Sequence, residues 1–157
     1  MRRAGCAVVT LMLVACSSGA PAAAADAGAE AAFIGCERDP RALTYAANLT
    51  KVGEQGTLQL ALVQAAPAPP LRGTNTWRVR VERAGGAAAA QPAVNVTLLM
   101  PEHGHGSSVT PVVTAQPDGS FEIAPLYLFM PGLWQATFAL TSGADTDTVV
   151  MAFCVAG

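Results

Sequence analysis

The sequence predicts an all-β protein, an immunoglobulin-like sandwich of two sheets with about seven strands. Apolar and polar residues alternate with a period of two in several segments after residue 57, as expected for strands with one buried face. Turn residues separate these segments at intervals of roughly 8–12 residues, a spacing typical of sandwiches. No long segment shows the period of a helix. A small barrel is the alternative architecture.

The first two predicted strands lie between Thr57 and Arg83. The first places leucines at every second position from Leu58 and ends at the proline-rich segment 65–70, because proline cannot continue a ladder. The second begins at Thr76, and its arginines alternate with apolar residues. This pattern indicates a solvated strand face and not a nucleic-acid-binding patch.

Five further strands are predicted in the second half of the chain. One alternates from Val94 to Met100. Segments 108–115 and 120–129 flank Pro117-Asp118-Gly119, a hairpin signal. Segment 133–141 places large apolar side chains on one face, and segment 147–155 is the last strand.

The segment between residues 33 and 56 has no clear period. Asp39 followed by Pro40 resembles the start of a helix, with the aspartate as N-cap and the proline at the first helical position. We therefore expect a turn and a short helix over residues 39–46.

The first 15 residues predict a lipoprotein signal peptide. Two arginines precede a short apolar segment, and Leu13-Val14-Ala15-Cys16 ends it as a lipobox. Cys16 would be acylated and become the mature N-terminus, and its acyl chains would hold the protein on a membrane. Ser17 after the cysteine favours the outer membrane, facing the periplasm. The alternative is an ordinary signal peptide, cleaved after Ala15 or near Ala25.

Residues 16–35 predict a flexible, Ala-rich tether, and residues 36–157 a single folded domain. Loss of Arg2 and Arg3 leaves seven of nine basic side chains against 11 acidic ones, a net charge of −4. This balance argues against binding nucleic acid or anionic lipid by charge. The membrane contact expected here is the lipid anchor.

Two cysteines, Cys36 and Cys154, remain after Cys6 is removed and Cys16 is acylated. Two thiols in an oxidising compartment usually pair, so we expect a disulfide between them. A cysteine-based metal site is the alternative, but neither residue has a second cysteine nearby in the sequence.

Four motifs, in this order, resemble the YtkA-like family. They are Trp77 on a strand after Gly73-Thr74-Asn75, the segment Met100-Pro-Glu-His-Gly-His-Gly106, the segment Asp118-Gly-Ser-Phe121, and the segment Met130-Pro-Gly-Leu-Trp134. The resemblance covers about residues 57–155. It implies a small exported bacterial domain, often lipid-anchored, with an immunoglobulin-like sandwich. The His/Met motif is also similar to those of periplasmic copper-handling β-sandwich proteins, which implies copper as a ligand. Ser107 and Ser108 stand where many relatives carry further methionines.

The hairpin register extends this prediction to a metal site. Pairing Pro117 with Ser120 would continue outward to set Met130 beside His105 and His103 opposite Trp134. Imidazole suits Cu(II) and thioether sulfur suits Cu(I), so the predicted copper ligands are His103, His105, Met130 and Met100. In this arrangement Trp134 would shield the ion.

The alternative is that both histidines belong to a simple turn and the methionines fill the core. An enzyme is not expected, because no nucleophile or paired carboxylate accompanies the histidines and Glu102 is the one acid nearby. Two functions therefore stand: copper handling in the bacterial envelope, or an interaction and accessory module that docks an envelope protein without metal.

Overall fold

Two antiparallel β-sheets pack face to face in a computed structural model that describes residues 35–157. The predicted fold class is confirmed. Nine strands form within these residues: β1 Leu49–Val52, β2 Leu58–Ala66, β3 Gly73–Arg83, β4 Pro92–Met100, β5 His105–Gly106, β6 Val112–Ala115, β7 Phe121–Leu128, β8 Gly132–Ser142 and β9 Asp145–Val155. The predicted signal peptide, the acylated Cys16 and nearly all of the tether lie outside the described residues and stay predictions.

The first sheet has the order β1-β2-β3-β7-β6 and the second the order β5-β4-β8-β9. The alternation predicted for residues 133–141 is confirmed, since Trp134 and Phe138 are buried while Gln135 and Thr137 are half-exposed. At the centre of the core, Trp77 stacks on Phe138 with ring centroids 6.3 Å apart. The even positions of β8 therefore face the first sheet across the core.

The predicted helix over residues 39–46 does not form, and the segment makes turns. The Asp39 carboxylate accepts a hydrogen bond from the Arg41 backbone N–H at 2.8 Å and binds the guanidinium of the same residue at 2.6 Å. Beyond this turn, the Leu43 N–H donates to the Ala152 carbonyl at 2.7 Å, and Ala42 forms a parallel bridge with Ala152. Pairing with the edge of β9 thus satisfies backbone groups that a single helical turn would have left open.

The predicted disulfide is confirmed. Cys36 and Cys154 are bonded across a sequence separation of 118 residues, with their Cα atoms 5.2 Å apart. The bond fastens the start of the domain to the last strand, next to the bridge at Ala42. It therefore fixes the course of segment 35–43 along the second sheet.

Asp147 on β9 holds the turn between β1 and β2. This buried carboxylate accepts hydrogen bonds from the backbone N–H groups of Gln55 at 2.9 Å, Thr57 at 2.9 Å and Leu58 at 3.0 Å. A Cβ added at Gly53 would lie 2.2 Å from the Asp147 side chain, so the turn requires glycine there. One side chain of the second sheet thus ties down an end of the first.

Within residues 35–157, no helix is long and apolar enough to cross a membrane.

Candidate metal centre

The His-Gly-His segment forms a tight hairpin at the end of β4. The backbone N–H groups of His103 and Gly104 both donate to the Met100 carbonyl, at 3.1 and 2.9 Å. Gly104 has a φ of 66°, a conformation that favours glycine. The chain then returns as β5, which pairs His105 with Met100 and Gly106 with Leu99. Both histidines therefore lie at one end of the second sheet.

The register predicted for the Asp118-Gly119 hairpin is wrong by one residue. Ala115 pairs with Phe121, where the predicted pairing would have set it opposite Glu122. The turn is longer than assumed, since the Gln116 N–H donates to the Ser120 carbonyl at 2.8 Å and closes it. An extra residue in a turn shifts every pair beyond it.

The same ladder also ends sooner than predicted. It stops where Val112 pairs with Ala124, and the chain before it crosses to the second sheet. Met130 is therefore not paired opposite Ser107, whose hydroxyl instead donates to the Tyr127 carbonyl at 2.8 Å. On the side of β8 that faces β4, the ladder ends where Leu99 pairs with Gln135, and His103 lies in the turn beyond β4. The predicted position of His103 opposite Trp134 is therefore also wrong.

The two histidines nevertheless come together through the hairpin itself. Their ring centroids are 5.5 Å apart, and the ring planes are inclined by 74°. The His103 ring is exposed and the His105 ring is half-buried. Nδ1 of His105 lies 3.2 Å from the Gly106 carbonyl oxygen, which can accept its proton. In that tautomer Nε2 of His105 carries the free lone pair.

An aromatic wall lies behind His105. Phe129 stacks on the imidazole with centroids 5.5 Å apart and an interplanar angle of 22°. Trp134 meets Phe129 edge-on at 5.5 Å, and its indole N–H donates to the Met130 carbonyl at 2.9 Å. Phe129 therefore has the shielding position that the sequence reasoning assigned to Trp134. The sequence signal that could have identified Phe129 was its position directly before the Met130-Pro131 pair.

The two predicted methionine ligands differ in exposure. Met100 has no exposed surface, and its Cε would lie 2.8 Å from a Cβ added at Gly132. Gly132, with a φ of 131°, thus makes room for this methyl group. Met130 is half-buried, and the indole hydrogen bond fixes its backbone next to Phe129.

A cleft of about 270 Å³ opens beside the hairpin. Its lining residues come from the hairpin, the start of β8 and the segment fastened by the disulfide: Gly35, Cys36, Asp39, Met100, Glu102, His103, Gly132 and Leu133. At its rim Arg41 forms ion pairs with both Asp39 and Glu102. The hydrogen bonds from Arg41 lower the pKa of the half-buried Asp39 carboxyl to about 2. The cleft therefore has an ionised rim beside its exposed histidine.

The donor set limits the metals that fit. Within residues 35–157, no three His, Cys, Asp or Glu side chains are grouped closely enough to hold a metal ion. The donors that the hairpin offers are two imidazoles, and Met100, which pairs with His105, adds a buried thioether at the edge of the cleft. That set does not suit Mg²⁺ or Ca²⁺, which require several oxygen ligands. It suits copper, for which imidazole and thioether are both good ligands.

A model of the YtkA-like protein family matches residues 45–139, more than half of the chain. The family resemblance predicted from the sequence is thereby confirmed. No protein of curated function matches the chain significantly.

Several solved structures are similar to this chain. FetP of uropathogenic E. coli strain F11 aligns with a TM-score of 0.47 at 13% identity, covering 72% of this chain and 96% of FetP. A copper-bound variant of that FetP aligns with a TM-score of 0.46 at 13% identity, covering 72% and 97%. A DUF4426 family protein of Pseudomonas aeruginosa PAO1 aligns with a TM-score of 0.49 at 10% identity, covering 68% and 96%.

Proposed function

Because the chain belongs to the YtkA-like family, we propose that it is a lipid-anchored, non-enzymatic domain of the bacterial envelope that binds copper. His103 and His105 are the principal ligands. Thioether sulfur from Met130 or Met100 completes the set for Cu(I).

The observation that carries the proposal is the approach of the two imidazole rings. A ligating nitrogen lies about 2 Å from a bound ion, so each ring centre lies roughly 3 Å from it. Two rings that share one ion then have centroids up to about 6 Å apart. The separation of 5.5 Å between His103 and His105 falls within this limit. The hairpin thus holds both rings at a spacing that one ion can bridge.

Two further contacts support His105 as a ligand. A proton on Nδ1, held by the Gly106 carbonyl, leaves Nε2 free to bind the ion. Such a hydrogen bond on the second ring nitrogen is the usual companion of a ligating histidine. Phe129 covers one face of the imidazole and excludes water from that side. Exclusion of water lowers the local dielectric constant and so strengthens the interaction of the ring with a cation.

Met130 is the better placed of the two thioethers. It is half-buried, and its neighbour in the chain, Phe129, touches His105. Met100 borders the cleft but is fully buried, and its methyl group fills the space that Gly132 leaves, so its sulfur would need a change of rotamer to meet an ion held by the exposed His103. Met side chains have flexible stems and adapt readily to such changes.

The envelope location rests on the lipobox at Cys16 and on the disulfide. A bond between Cys36 and Cys154 is expected to form and persist in an oxidising compartment such as the periplasm. Acylation of Cys16 would place the domain at a membrane surface, with residues 17–35 as the tether.

Titration of the purified protein with Cu(I) and Cu(II), each in competition with a chromogenic chelator, tests the proposal. The His103→Ala, His105→Ala double variant should lose binding of both ions and remain folded, because His103 is exposed and His105 is half-buried on the short edge strand β5. Ser108→Ala, in the exposed segment just after β5, is the matched control and should bind as the wild type does. Binding that survives the loss of both histidines would refute the site.

Replacement of Met130 separates the two oxidation states. Met130→Leu should weaken Cu(I) binding more than Cu(II) binding, because it removes a soft ligand and keeps the volume. Met151→Leu is the control, since Met151 is buried in the core on β9. Equal loss for both ions would contradict a thioether ligand at this position.

A second function is favoured by the edge of β4. Within the described part of the chain, β5 pairs with β4 only at Leu99 and Met100. The remaining length of that β4 edge therefore keeps backbone groups that an added strand could pair. An envelope protein docked there would make the domain an accessory module without metal. Two results together would favour this alternative. The wild-type protein would take no copper from the chelator, and it would capture an envelope protein that substitutions on the β4 edge no longer capture.

A further inference from the structure

The disulfide lies between two clefts. Cys36 lines the cleft that also contains His103 and Met100. A second, more apolar cleft of about 330 Å³ is lined by Cys36 and Cys154 together with residues of the C-terminus. Cys36 thus borders both clefts, whereas Cys154 borders only the second. Both cysteines are half-buried.

We propose that Cys36 becomes a thiolate ligand for Cu(I) in the histidine cleft when a dithiol protein of the envelope opens the disulfide. Cys36 and His103 then form a second binding mode, next to the proposed pair of histidines and sharing His103 with it. This inference rests on the proposed function in its use of His103. It adds a residue, and a redox condition, that the proposed function does not use.

The exchange balances without a further reagent. One thiolate of the dithiol attacks a sulfur of the Cys36–Cys154 bond, forms a mixed disulfide and releases the other cysteine as a thiolate. The second thiol of the partner then displaces the remaining cysteine, and the partner leaves as a disulfide. Two electrons and two protons pass from the partner to this chain. Cu(I) then takes the place of the proton on Cys36.

Ligand chemistry favours the thiol form for Cu(I). A disulfide sulfur carries no charge, whereas a thiolate is a soft anion that selects Cu(I). The oxidised protein offers the cleft one imidazole, one buried thioether and two carboxylates that Arg41 already holds. Reduction adds a thiolate, the soft anionic donor that these groups lack.

The contacts around the cleft should keep Cys36 in place when the disulfide is reduced. Cys36 stands on a turn whose closing hydrogen bond runs from the Asp39 N–H to the Cys36 carbonyl at 3.1 Å. Arg41 anchors the same turn to Glu102, the neighbour of His103. After reduction these contacts keep Cys36 near the histidine hairpin, while Cys154 stays on β9. The two thiols therefore differ in their access to His103.

Two single substitutions give a matched test. Cys154→Ser leaves a free thiol at Cys36, and Cys36→Ser leaves one at Cys154; both remove the same disulfide. Under reducing, anaerobic conditions, both variants compete with a chromogenic chelator for Cu(I). Cys154→Ser should bind Cu(I) at least about tenfold more tightly than Cys36→Ser, because it has one more soft ligand at the cleft. Cu(I) should also slow alkylation of Cys36 in Cys154→Ser, and addition of His103→Ala should abolish that protection.

The outcomes separate this inference from the proposed function. Equal Cu(I) affinity of the two cysteine variants would overturn the inference, whatever the oxidised wild type binds. Protection of Cys36 that survives His103→Ala would also overturn it, because the thiol would then act without the cleft. Tighter binding by Cys154→Ser that depends on His103 would support it, even if the oxidised wild type binds no copper and the proposed function fails.

Discussion

Replacement of Asp147 by asparagine should destabilise the domain more than the same replacement of Asp145, a partly exposed carboxylate on the same strand. The Asp147 side chain is 4% exposed. It accepts the three backbone hydrogen bonds of the β1–β2 turn, a fourth from the Thr148 N–H at 2.8 Å and one from the Thr57 hydroxyl at 3.1 Å. An amide presents its own N–H₂ group to some of these donors, so part of the turn loses its acceptor.

The pKa of Asp147 gives the magnitude. Burial raises the pKa, but the backbone N–H donors of Leu58, Gln55, Thr148 and Thr57 outweigh it and lower the pKa from 3.8 to about 2. At 1.36 kcal/mol per pH unit, this corresponds to about 2.5 kcal/mol of stability from the ionised form. Unsatisfied donors add to the loss, so Asp147→Asn should lower the free energy of unfolding by about 3 kcal/mol at pH 7.

Urea unfolding followed by the fluorescence of the two buried tryptophans measures this loss. Asp145→Asn is the control, because the Asp145 side chain is 37% exposed and its ion pair with Arg83 should contribute less than about 1 kcal/mol. A loss at Asp147 no larger than at Asp145 would refute the reasoning.

The pH dependence provides an independent check. The folded-state pKa of Asp147 lies below its unfolded value, so its stabilisation is fully present above about pH 4 and is lost as the pH falls through about 2. The difference in stability between wild type and Asp147→Asn should therefore narrow over this interval. A difference that stays constant from pH 7 to pH 2 would show that the carboxylate charge is not its cause.

Two further predictions concern the cysteines. Replacing Cys36 and Cys154 together by alanine should lower the free energy of unfolding by about 4–5 kcal/mol in the chain-entropy model, because the disulfide closes a loop across a separation of 118 residues. Urea unfolding without reductant measures the difference. A loss below about 1 kcal/mol would contradict the entropic estimate. Cys16→Ala should release the protein from membranes into the soluble fraction, with Cys6→Ala as a control that leaves it bound. Unchanged membrane association of the Cys16 variant would rule out the anchor.

The sequence by itself determined which residues are buried and where most strands lie. In β8 the apolar residues recur at every second position, and this local pattern identifies the core face without knowledge of any partner strand. The disulfide was predictable by counting cysteines, because only Cys36 and Cys154 remain once Cys6 and Cys16 are assigned to the predicted signal peptide and lipid anchor. The position of the His-Gly-His segment at a strand end followed from its proline and glycines.

Only the tertiary structure decided how these pieces meet. The register between β6 and β7 depends on one residue in the turn, and the alternation along each strand is compatible with either turn length. The short β5 joined β4 in the second sheet, although the next strand along the chain, β6, joins the first. Such pairings depend on contacts between distant residues, which local patterns do not contain. The two histidines therefore meet through their own hairpin, with Phe129 and not Trp134 against His105.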